Sequence, residues 1–288
     1  MLTRRTWLYS SFAYLAIAKQ SPNWSTLPEA LARLEPLTGG RLGVAVLDTS
    51  TNATAGHRSQ ERFPMCSTFK LLVVGAVLLR VDQHKEQLDR IIRFTQKEII
   101  TYSPATEKRV GAAGMSIREL CAAAITLSDN TAANLLLSSM GGPAAVTSFA
   151  RALGDQTTRL DRNEPDLNEA VPGDPRDTTS PEAMLSNLRA LVLGNALSSV
   201  SRAQLLQWLI ENKTGDKRLR AGVTSTWKVG DKTGSGKKGT ANDVAILWPP
   251  HRLPILTSVY LTGATIDDDR RNAVIASVGK LVSAAISQ

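Results

Sequence analysis

Residues 227–261 read WKVGDKTGSGKKGTANDVAILWPPHRLPILTSVYL, and they decide the fold. Residues 227–233, 244–248 and 255–261 are β-branched or alternate between apolar and polar side chains, which predicts three strands. The turn signals Gly234-Ser235-Gly236 and Pro249-Pro250 separate these segments. Near the other end of the chain, residues 41–48 have the same strand pattern. The sequence therefore predicts one sheet that takes strands from both ends of the chain.

The segments between these strands have the apolar spacing of helices. It predicts helices over residues 67–81, 117–127, 131–140, 143–153, 181–193 and 201–210. Further helices are predicted near the two ends, over residues 27–37 and 270–286. We therefore expect an α+β fold, in which the sheet lies beside an all-helical insertion.

The composition argues against several classes of function. Hydrophobic residues make up 42% of the chain and aromatic residues 5%, which indicates neither disorder nor a membrane protein. The formal net charge is +8, or +6 without Arg4 and Arg5, but the basic residues are dispersed and no nucleic-acid partner is expected. His57, His84 and His251 lie far apart without metal-ligand spacing, so we expect no metal and no cofactor.

The first 18 residues predict an export signal. Arg4 and Arg5 precede an apolar stretch, and residues 16–18 read AIA, a small-x-small cleavage site. The stretch is too short to span a bilayer, and no later segment reaches about 18 consecutive apolar residues. We expect cleavage after Ala18, a mature unit of residues 19–288 without a membrane anchor, and a periplasmic or secreted location. The choice between Sec and twin-arginine export stays open.

A Ser-x-x-Lys motif is formed by Ser67 and Lys70. The pattern is weak alone, because it recurs at residues 225–228, 235–238 and 277–280. Ser67, however, opens a long apolar helix, so both side chains lie on one face. The helix N-terminus favours an oxyanion there, and a lysine in a dry site can accept a proton. The structural alternative is a capping serine with a solvated lysine.

Two further motifs add polar groups. Residues 128–130 read SDN between two helices, and a capping turn is the structural alternative. Lys-Thr-Gly occurs twice: residues 213–215 follow a helix and are typical of its end, whereas residues 232–234 follow a strand. After the second copy, Ser235-Gly236 lets backbone approach a ligand closely. We interpret the second copy as the functional one.

Residues 162–177 read RNEPDLNEAVPGDPRD and form a long loop. Loops of this length in a compact domain are usually functional or disordered. The Glu164-Pro165 step can be cis at modest cost, and Arg162 with Asp177 could close the neck as an ion pair. Glu164 supplies a carboxylate that could activate water.

These motifs, in this order, resemble those of the class A serine β-lactamases over essentially the whole mature chain. The resemblance implies an antiparallel sheet flanked by terminal helices, with a helical domain packed against one edge and the site in the cleft between them. The sheet part would comprise about residues 19–60 and 212–288, and the helical part about residues 61–211.

The resemblance also implies the reaction and the site residues. The reaction is hydrolysis of the amide bond of penicillins and cephalosporins through a serine acyl-enzyme, which confers β-lactam resistance. Catalysis would rest on Ser67, Lys70, Ser128 and Glu164, and either Lys70 or Glu164 would be the base of acylation. The substrate would be bound by Tyr102, Asn130, Asn168, Arg218, Lys232, Thr233, Gly234 and Ser235.

The chain departs from many relatives at the arginine they carry beyond Gly239. Ala241 and Asn242 occupy that region here. Arg218 is placed as in the subgroup that supplies this charge from another loop. The resemblance therefore implies that Arg218 meets the substrate carboxylate.

The two cysteines, Cys66 and Cys121, also differ from those of relatives. The resemblance implies Gly236 as the position that would pair with Cys66, and Val74 as the one that would pair with Cys121. Since neither is a cysteine, we expect two free, mostly buried thiols.

Two other functions share part of this pattern. A penicillin-binding transpeptidase or carboxypeptidase has the first three motifs but typically lacks a deacylating glutamate loop. A non-catalytic β-lactam-binding sensor would react once, without turnover. The presence of Glu164 and Asn168 favours a hydrolase over both alternatives. We expect the protein to be a monomer and its partners to be small-molecule β-lactams.

Overall fold

A computed structural model describes residues 23–111 and 113–286; the predicted signal segment and its cleavage site lie outside them. The α-helices are α1 (Leu27–Ala32), α2 (Lys70–Asp82), α3 (Ile117–Thr126), α4 (Asn130–Ser139), α5 (Pro143–Ala152), α6 (Pro181–Val192), α7 (Ser199–Ile210), α8 (Leu219–Gly222) and α9 (Asp268–Ile286). The strands are β1 (Arg41–Asp48), β2 (Thr54–His57), β3 (Phe63–Pro64), β4 (Ile91–Ile92), β5 (Met115–Ser116), β6 (Thr178–Thr179), β7 (Lys228–Gly236), β8 (Thr240–Trp248) and β9 (Ile255–Thr262).

The main sheet combines strands from both ends of the chain, as the sequence predicts. Its order is β2-β1-β9-β8-β7, and every neighbouring pair is antiparallel. Because β1 lies beside β9, the first and last strands are joined through eight paired positions, from Arg41↔Thr262 to Asp48↔Ile255. The α+β prediction is confirmed.

Alternating side chains on β1 separate two hydrophobic cores. Leu42, Val44 and Val46 pack with α1 and α9, whereas Ala45 and Leu47 face α2 and α6. The helical part covers one face of the sheet, and α7 and the Cys66–Phe69 turn lie beside the edge strand β7. The expected contact with one edge is therefore present, and the helical part also buries the second apolar face of the sheet.

The inserted part is not entirely helical. β3 pairs with β6, and β4 pairs with β5, in two short two-stranded sheets. The pairs Phe63↔Thr179 and Pro64↔Thr178 tie the segment before Ser67 to the end of the 162–177 loop. This pairing holds the nucleophile candidate and the loop in one frame.

The turn predicted at Gly234-Ser235-Gly236 is also wrong. These residues continue β7 and pair with residues 240–242 of β8, and the turn follows at residues 237–239. A Cβ atom on Gly234 would lie 2.8 Å from the Met65 carbonyl oxygen. Glycine serves here to let a strand pass close to the Ser67 turn, which is its second common use in strands.

Candidate active site

The nucleophile candidate lies between two possible bases. Ser67 Oγ accepts a hydrogen bond from Lys70 Nζ at 2.9 Å and donates one to Glu164 Oε1 at 3.2 Å. Lys70 Nζ and Glu164 Oε1 are themselves 3.0 Å apart. All three side chains are buried. Both candidate bases are therefore within direct reach of the serine proton.

The backbone around Ser67 is fixed from distant parts of the chain. Ser67 lies in a 3₁₀ turn, Cys66–Phe69, and α2 begins only at Lys70. Asn242 Nδ2 donates to the Met65 carbonyl oxygen at 2.9 Å, and the Met65 N–H donates to the Asp177 carbonyl oxygen at 2.9 Å. The predicted helix over residues 67–81 is thus present, but its first turn is 3₁₀ in geometry.

Lys70 has more oxygen neighbours than protons to donate. Its Nζ lies 2.8 Å from the Ser128 carbonyl oxygen and 2.6 Å from Asn130 Oδ1, besides the contacts with Ser67 and Glu164. An ammonium group has three protons for these four oxygens. Complete burial lowers the pKa of Lys70, and the carboxylate of Glu164 opposes that shift. Burial therefore shifts this lysine toward the neutral form that could accept the Ser67 proton.

Two asparagines hold Glu164. Asn134 Nδ2 donates to the Glu164 carbonyl oxygen at 2.9 Å, and Asn134 Oδ1 accepts from the Glu164 N–H at 3.0 Å. Asn168 Nδ2 donates to Glu164 Oε2 at 2.5 Å. The Glu164-Pro165 bond is cis. Asn134 is not among the residues expected from the sequence, although it lies four residues after Asn130 and so on the same side of α4.

The neck of the loop is closed by the predicted ion pair. Arg162 Nε lies 2.6 Å from Asp177 Oδ2. Asp177 Oδ1 also accepts the backbone N–H groups of Asp161 and Arg162, at 2.8 and 2.9 Å. Since the Asp177 side chain is almost fully buried, it anchors both ends of the loop.

In the Ser-Asp-Asn motif, Ser128 and Asn130 contact the site, and Asp129 stabilises a helix. Ser128 has φ of 58°, and its Oγ accepts a hydrogen bond from Lys232 Nζ at 3.0 Å. Asn130 Nδ2 donates to the Thr101 carbonyl oxygen at 2.9 Å, and its Oδ1 faces Lys70. Asp129 caps α4 by accepting the Ala132 N–H at 2.8 Å. The capping interpretation thus describes Asp129, whereas its two neighbours face the site.

Lys232 is a buried cation without an ion pair. Its Nζ donates to Ser128 Oγ and, at 2.8 Å, to the Thr233 carbonyl oxygen. Within the described chain, no carboxylate lies within 4.0 Å of it. Burial holds the pKa of Lys232 well below its usual range, and the neighbouring charge of Lys70 lowers it further.

Arg218 is a second such cation. Its Nε donates to Asn272 Oδ1 at 2.9 Å, and its Nη2 donates to Ser235 Oγ at 2.6 Å. Its Nη1 donates to the carbonyl oxygens of Gly234 and Asn242, at 2.8 and 2.6 Å. All four acceptors are neutral, and no described carboxylate forms an ion pair with Arg218. Asn272 is not among the residues expected from the sequence, because a single polar residue in the long helix α9 carries no distinguishing signal.

The first Lys-Thr-Gly copy was expected only to end a helix, but its Thr214 also belongs to the site. α7 does end at Ile210, but Thr214 also lines the site, and its Oγ1 lies 2.5 Å from Thr233 Oγ1. It further donates to Asn212 Oδ1 at 2.8 Å. The repeated motif was a signal that this segment comes close to the other copy.

These side chains surround a cavity of about 310 Å³. Tyr102, with φ of 63° and 57% of its surface exposed, stands at the mouth. The cavity is lined by Ser67, Tyr102, Ser128, Asn130, Asn168, Thr214, Arg218, Thr233, Gly234 and Ser235. Lys70, Glu164 and Lys232 are buried behind this lining, so all twelve predicted site residues are brought together.

One wall of the site is narrow at Gly236. A Cβ atom there would lie 2.5 Å from Cys66 Sγ and 3.0 Å from the Asn168 carbonyl oxygen. Cys66 and Cys121 are both free and buried, as predicted. Burial raises the pKa of both thiols far above the usual range.

Among residues 23–111 and 113–286, no group of three or more His, Cys, Asp and Glu side chains could hold a metal ion. His57 is instead paired with Glu35, at 3.1 Å. The same residues contain no helix that is long and apolar enough to cross a membrane.

Comparisons with known proteins agree with this geometry. The sequence model of the Beta-lactamase enzyme family matches residues 26–286. Beta-lactamase CTX-M-8 of Citrobacter amalonaticus is 49% identical over 255 residues, which cover 88% of this chain and 87% of that protein. The structure of the putative class A β-lactamase PenP from Rhodopseudomonas palustris is 62% identical, with a TM-score of 0.89 over 91% of this chain and 100% of that one. An ancestral class A β-lactamase structure is 63% identical, with a TM-score of 0.88 over 89% of this chain and 98% of its own.

Proposed function

The chain belongs to class A of the β-lactamase enzyme family, and we propose how its own residues open a β-lactam and release the product. The enzyme hydrolyses β-lactams through a serine acyl-enzyme, which is the general mechanism of the class and confers resistance. One observation carries the assignment of residues. Two buried cations without ion pairs, Lys232 and Arg218, flank a serine that touches two candidate bases.

The cations would receive the substrate carboxylate. A buried charge without a partner is costly, so an anion that enters the cavity gains more from these groups than it would from exposed ones. The hydroxyls of Thr233 and Ser235 line the same wall and add hydrogen bonds. Asn130 would hold the side-chain amide of the substrate, and Tyr102 would border it at the mouth.

Acylation would begin with transfer of the Ser67 proton to Lys70. The 2.9 Å contact and the lowered pKa of Lys70 support this choice over Glu164, at 3.2 Å. Ser67 Oγ then bonds to the lactam carbonyl carbon, and the backbone N–H groups of Ser67 and Ser235 stabilise the oxyanion. Gly234 supports this arrangement, because its missing Cβ would be 3.2 Å from the Ser67 nitrogen.

Cleavage of the carbon–nitrogen bond requires a proton on the departing lactam nitrogen. Ser128 Oγ would donate it, since Lys232 Nζ lies 3.0 Å away and can return a proton to that oxygen. The backbone oxygen of Ser128 also lies 2.8 Å from Lys70 Nζ, which holds the Ser67 proton. A carbonyl oxygen relays no proton, so the proton for the leaving nitrogen would come from Ser128 and Lys232, while Lys70 keeps the Ser67 proton.

Deacylation would use Glu164 and Asn168. Glu164 accepts a proton from a water molecule as that water attacks the ester carbonyl of the acyl-enzyme. The bond between the acyl carbon and Ser67 Oγ then breaks, and Ser67 takes its proton back from Lys70, 2.9 Å away. Asn168 fixes the orientation of the carboxylate by holding Oε2, and Asn134 holds its backbone. This pair favours a hydrolase over a transpeptidase, which would release the acyl group to an amine.

Steady-state hydrolysis of nitrocefin by the purified protein tests the function. Many turnovers per enzyme are expected, and Ser67→Ala should abolish them together with the covalent adduct seen by intact-protein mass spectrometry. A burst of one equivalent without turnover would support the sensor instead. Transfer of an acyl group to an added D-amino acid, faster than hydrolysis, would support the transpeptidase.

We also propose that the protein is exported, loses residues 1–18 and acts as a monomer in the periplasm or medium. The basic start followed by an apolar stretch and AIA supports the export signal. Mass spectrometry of the exported protein checks the cleavage site, and light scattering checks the monomer.

A further inference from the structure

A second cavity, of about 420 Å³, lies between the return limb of the 162–177 loop and the start of β1. It shares no lining residue with the catalytic cavity. Its size falls within the roughly 300–1,000 Å³ typical of small-molecule sites. The reaction described above uses none of the side chains that line it.

The walls of this cavity are largely apolar. Pro64 closes one side, and Ala170, Val171, Pro172 and Pro175 of the loop form the other. Val171 leaves 46% of its surface exposed, although it is a large apolar side chain. Burial of that surface against the apolar body of a ligand would be favourable.

The acidic side chains of the lining already have partners. Glu61 Oε2 lies 2.6 Å from Arg41 Nη2, and Asp174 Oδ2 lies 2.7 Å from Arg176 Nη2. These carboxylates are therefore neutralised locally and do not repel an anion strongly.

Two cations of the lining have no ion pair. Arg62 Nη1 donates only to neutral oxygens, the Thr157 carbonyl at 2.7 Å and Thr178 Oγ1 at 3.0 Å. The ammonium of the exposed Lys238 forms no hydrogen bond or ion pair in the part of the chain that the structure describes. Apolar walls with two uncompensated positive charges match a ligand that has an apolar body and one acidic group.

We propose that this cavity binds an amphipathic monocarboxylate, with its apolar body against the prolines and Val171 and its carboxylate at Lys238 and Arg62. The site is coupled to catalysis through the loop. Ala170 lines the cavity two residues after Asn168, whose carbonyl oxygen accepts the Lys237 N–H at 2.9 Å and whose side chain holds Glu164. A ligand that shifts residues 170–175 therefore also shifts the position of the Glu164 carboxylate that activates water, and so changes kcat.

The experiment uses the intact mature enzyme with 4-phenylbutyrate as the probe and 4-phenylbutanol as its neutral match. We expect 4-phenylbutyrate to change kcat for nitrocefin at saturating substrate. An effect on KM alone would mean binding in the catalytic cavity and would overturn the proposal. Equal potency of 4-phenylbutanol would overturn the assignment of the carboxylate.

Variants locate the effect. Lys238→Glu should weaken the potency of 4-phenylbutyrate at least tenfold, whereas Lys280→Glu, the same charge change at an exposed position of α9, should leave that potency unchanged. Val171→Trp fills the cavity and should also abolish the effect of the probe, while an unchanged melting temperature shows that the variant is folded. If both cavity variants respond to the probe like the wild type, the site does not exist. Failure of this test leaves nitrocefin hydrolysis itself intact, so it does not bear on the proposed function.

Discussion

Replacement of Glu164 by glutamine separates the two half-reactions. Glutamine keeps the shape of the side chain but loses the negative charge, which opposes the effect of burial on the pKa of Lys70. Without that charge, the pKa of Lys70 should fall further, which favours the neutral form of the lysine. Because the 2.9 Å contact between Lys70 and Ser67 does not involve Glu164, acylation should persist.

Deacylation should instead be lost. An amide cannot accept the proton of the attacking water, and a general base contributes roughly 10²–10⁴-fold, or about 3–5 kcal/mol of barrier. Glu164→Gln should therefore accumulate a benzylpenicillin adduct on Ser67. Its hydrolysis should be slower than that of the wild-type acyl-enzyme by roughly 10²–10⁴-fold.

Rapid quenching followed by intact-protein mass spectrometry measures both rates. Asp166→Asn is the matched control, since it removes an exposed carboxylate without a side-chain partner from the same loop. The control should turn over normally. If Glu164→Gln turns over near the wild-type rate, Glu164 is not the deacylating base. If it forms no adduct, Lys70 is not sufficient as the base of acylation.

Three further variants test the cations and the loop. Arg218→Ala should lower kcat/KM for penicillins by roughly 10- to 150-fold, mainly through KM, because a charge-assisted hydrogen bond contributes about 1.5–3 kcal/mol. Unchanged steady-state kinetics would show that Arg218 does not bind the substrate. Because the pKa of Lys232 is lowered, its positive charge should be lost as the pH rises, well below the value of about 10.4 for a free lysine, and KM should rise in that range. Lys232→Arg should move this rise in KM to higher pH, and identical pH profiles for the two proteins would contradict the role of Lys232. Asp177→Asn breaks the ion pair with Arg162 and should lower the free energy of unfolding, measured in thermal melts, by about 1.5–3 kcal/mol. If Asp177→Asn is as stable as Asp166→Asn, the ion pair at the neck does not hold the loop.

Local patterns in the sequence predict most of the elements. The bounds predicted for β1 are those observed, and α3, α5 and α6 end within a residue of prediction, because apolar spacing is dictated by which side must be buried. The motifs likewise located the serine, the lysines and the glutamate, since their order matched that of a family.

Contacts between distant residues could not be predicted in this way. Asn272 reaches Arg218 across 54 positions, and nothing in the spacing of α9 distinguishes it from other exposed polar residues. Thr214 was hidden because Lys-Thr-Gly after a helix has an ordinary explanation as its end. The continuation of β7 through Gly234 was missed for a similar reason, since glycine marks a turn and a close approach equally well.

The narrow wall at Gly236 constrains the order in which the enzyme can evolve. A Cβ atom there clashes with the thiol of Cys66 and crowds the Asn168 carbonyl oxygen, so the surroundings must shift unless the new residue is a cysteine bonded to Cys66. Movement of Asn168 disturbs Glu164, so a single change at 236 should lower turnover. A smaller residue at 66 opens the space without touching the loop. Adaptive lineages should therefore accept a change at 66 before one at 236, and the double variant should recover turnover that the single change at 236 loses.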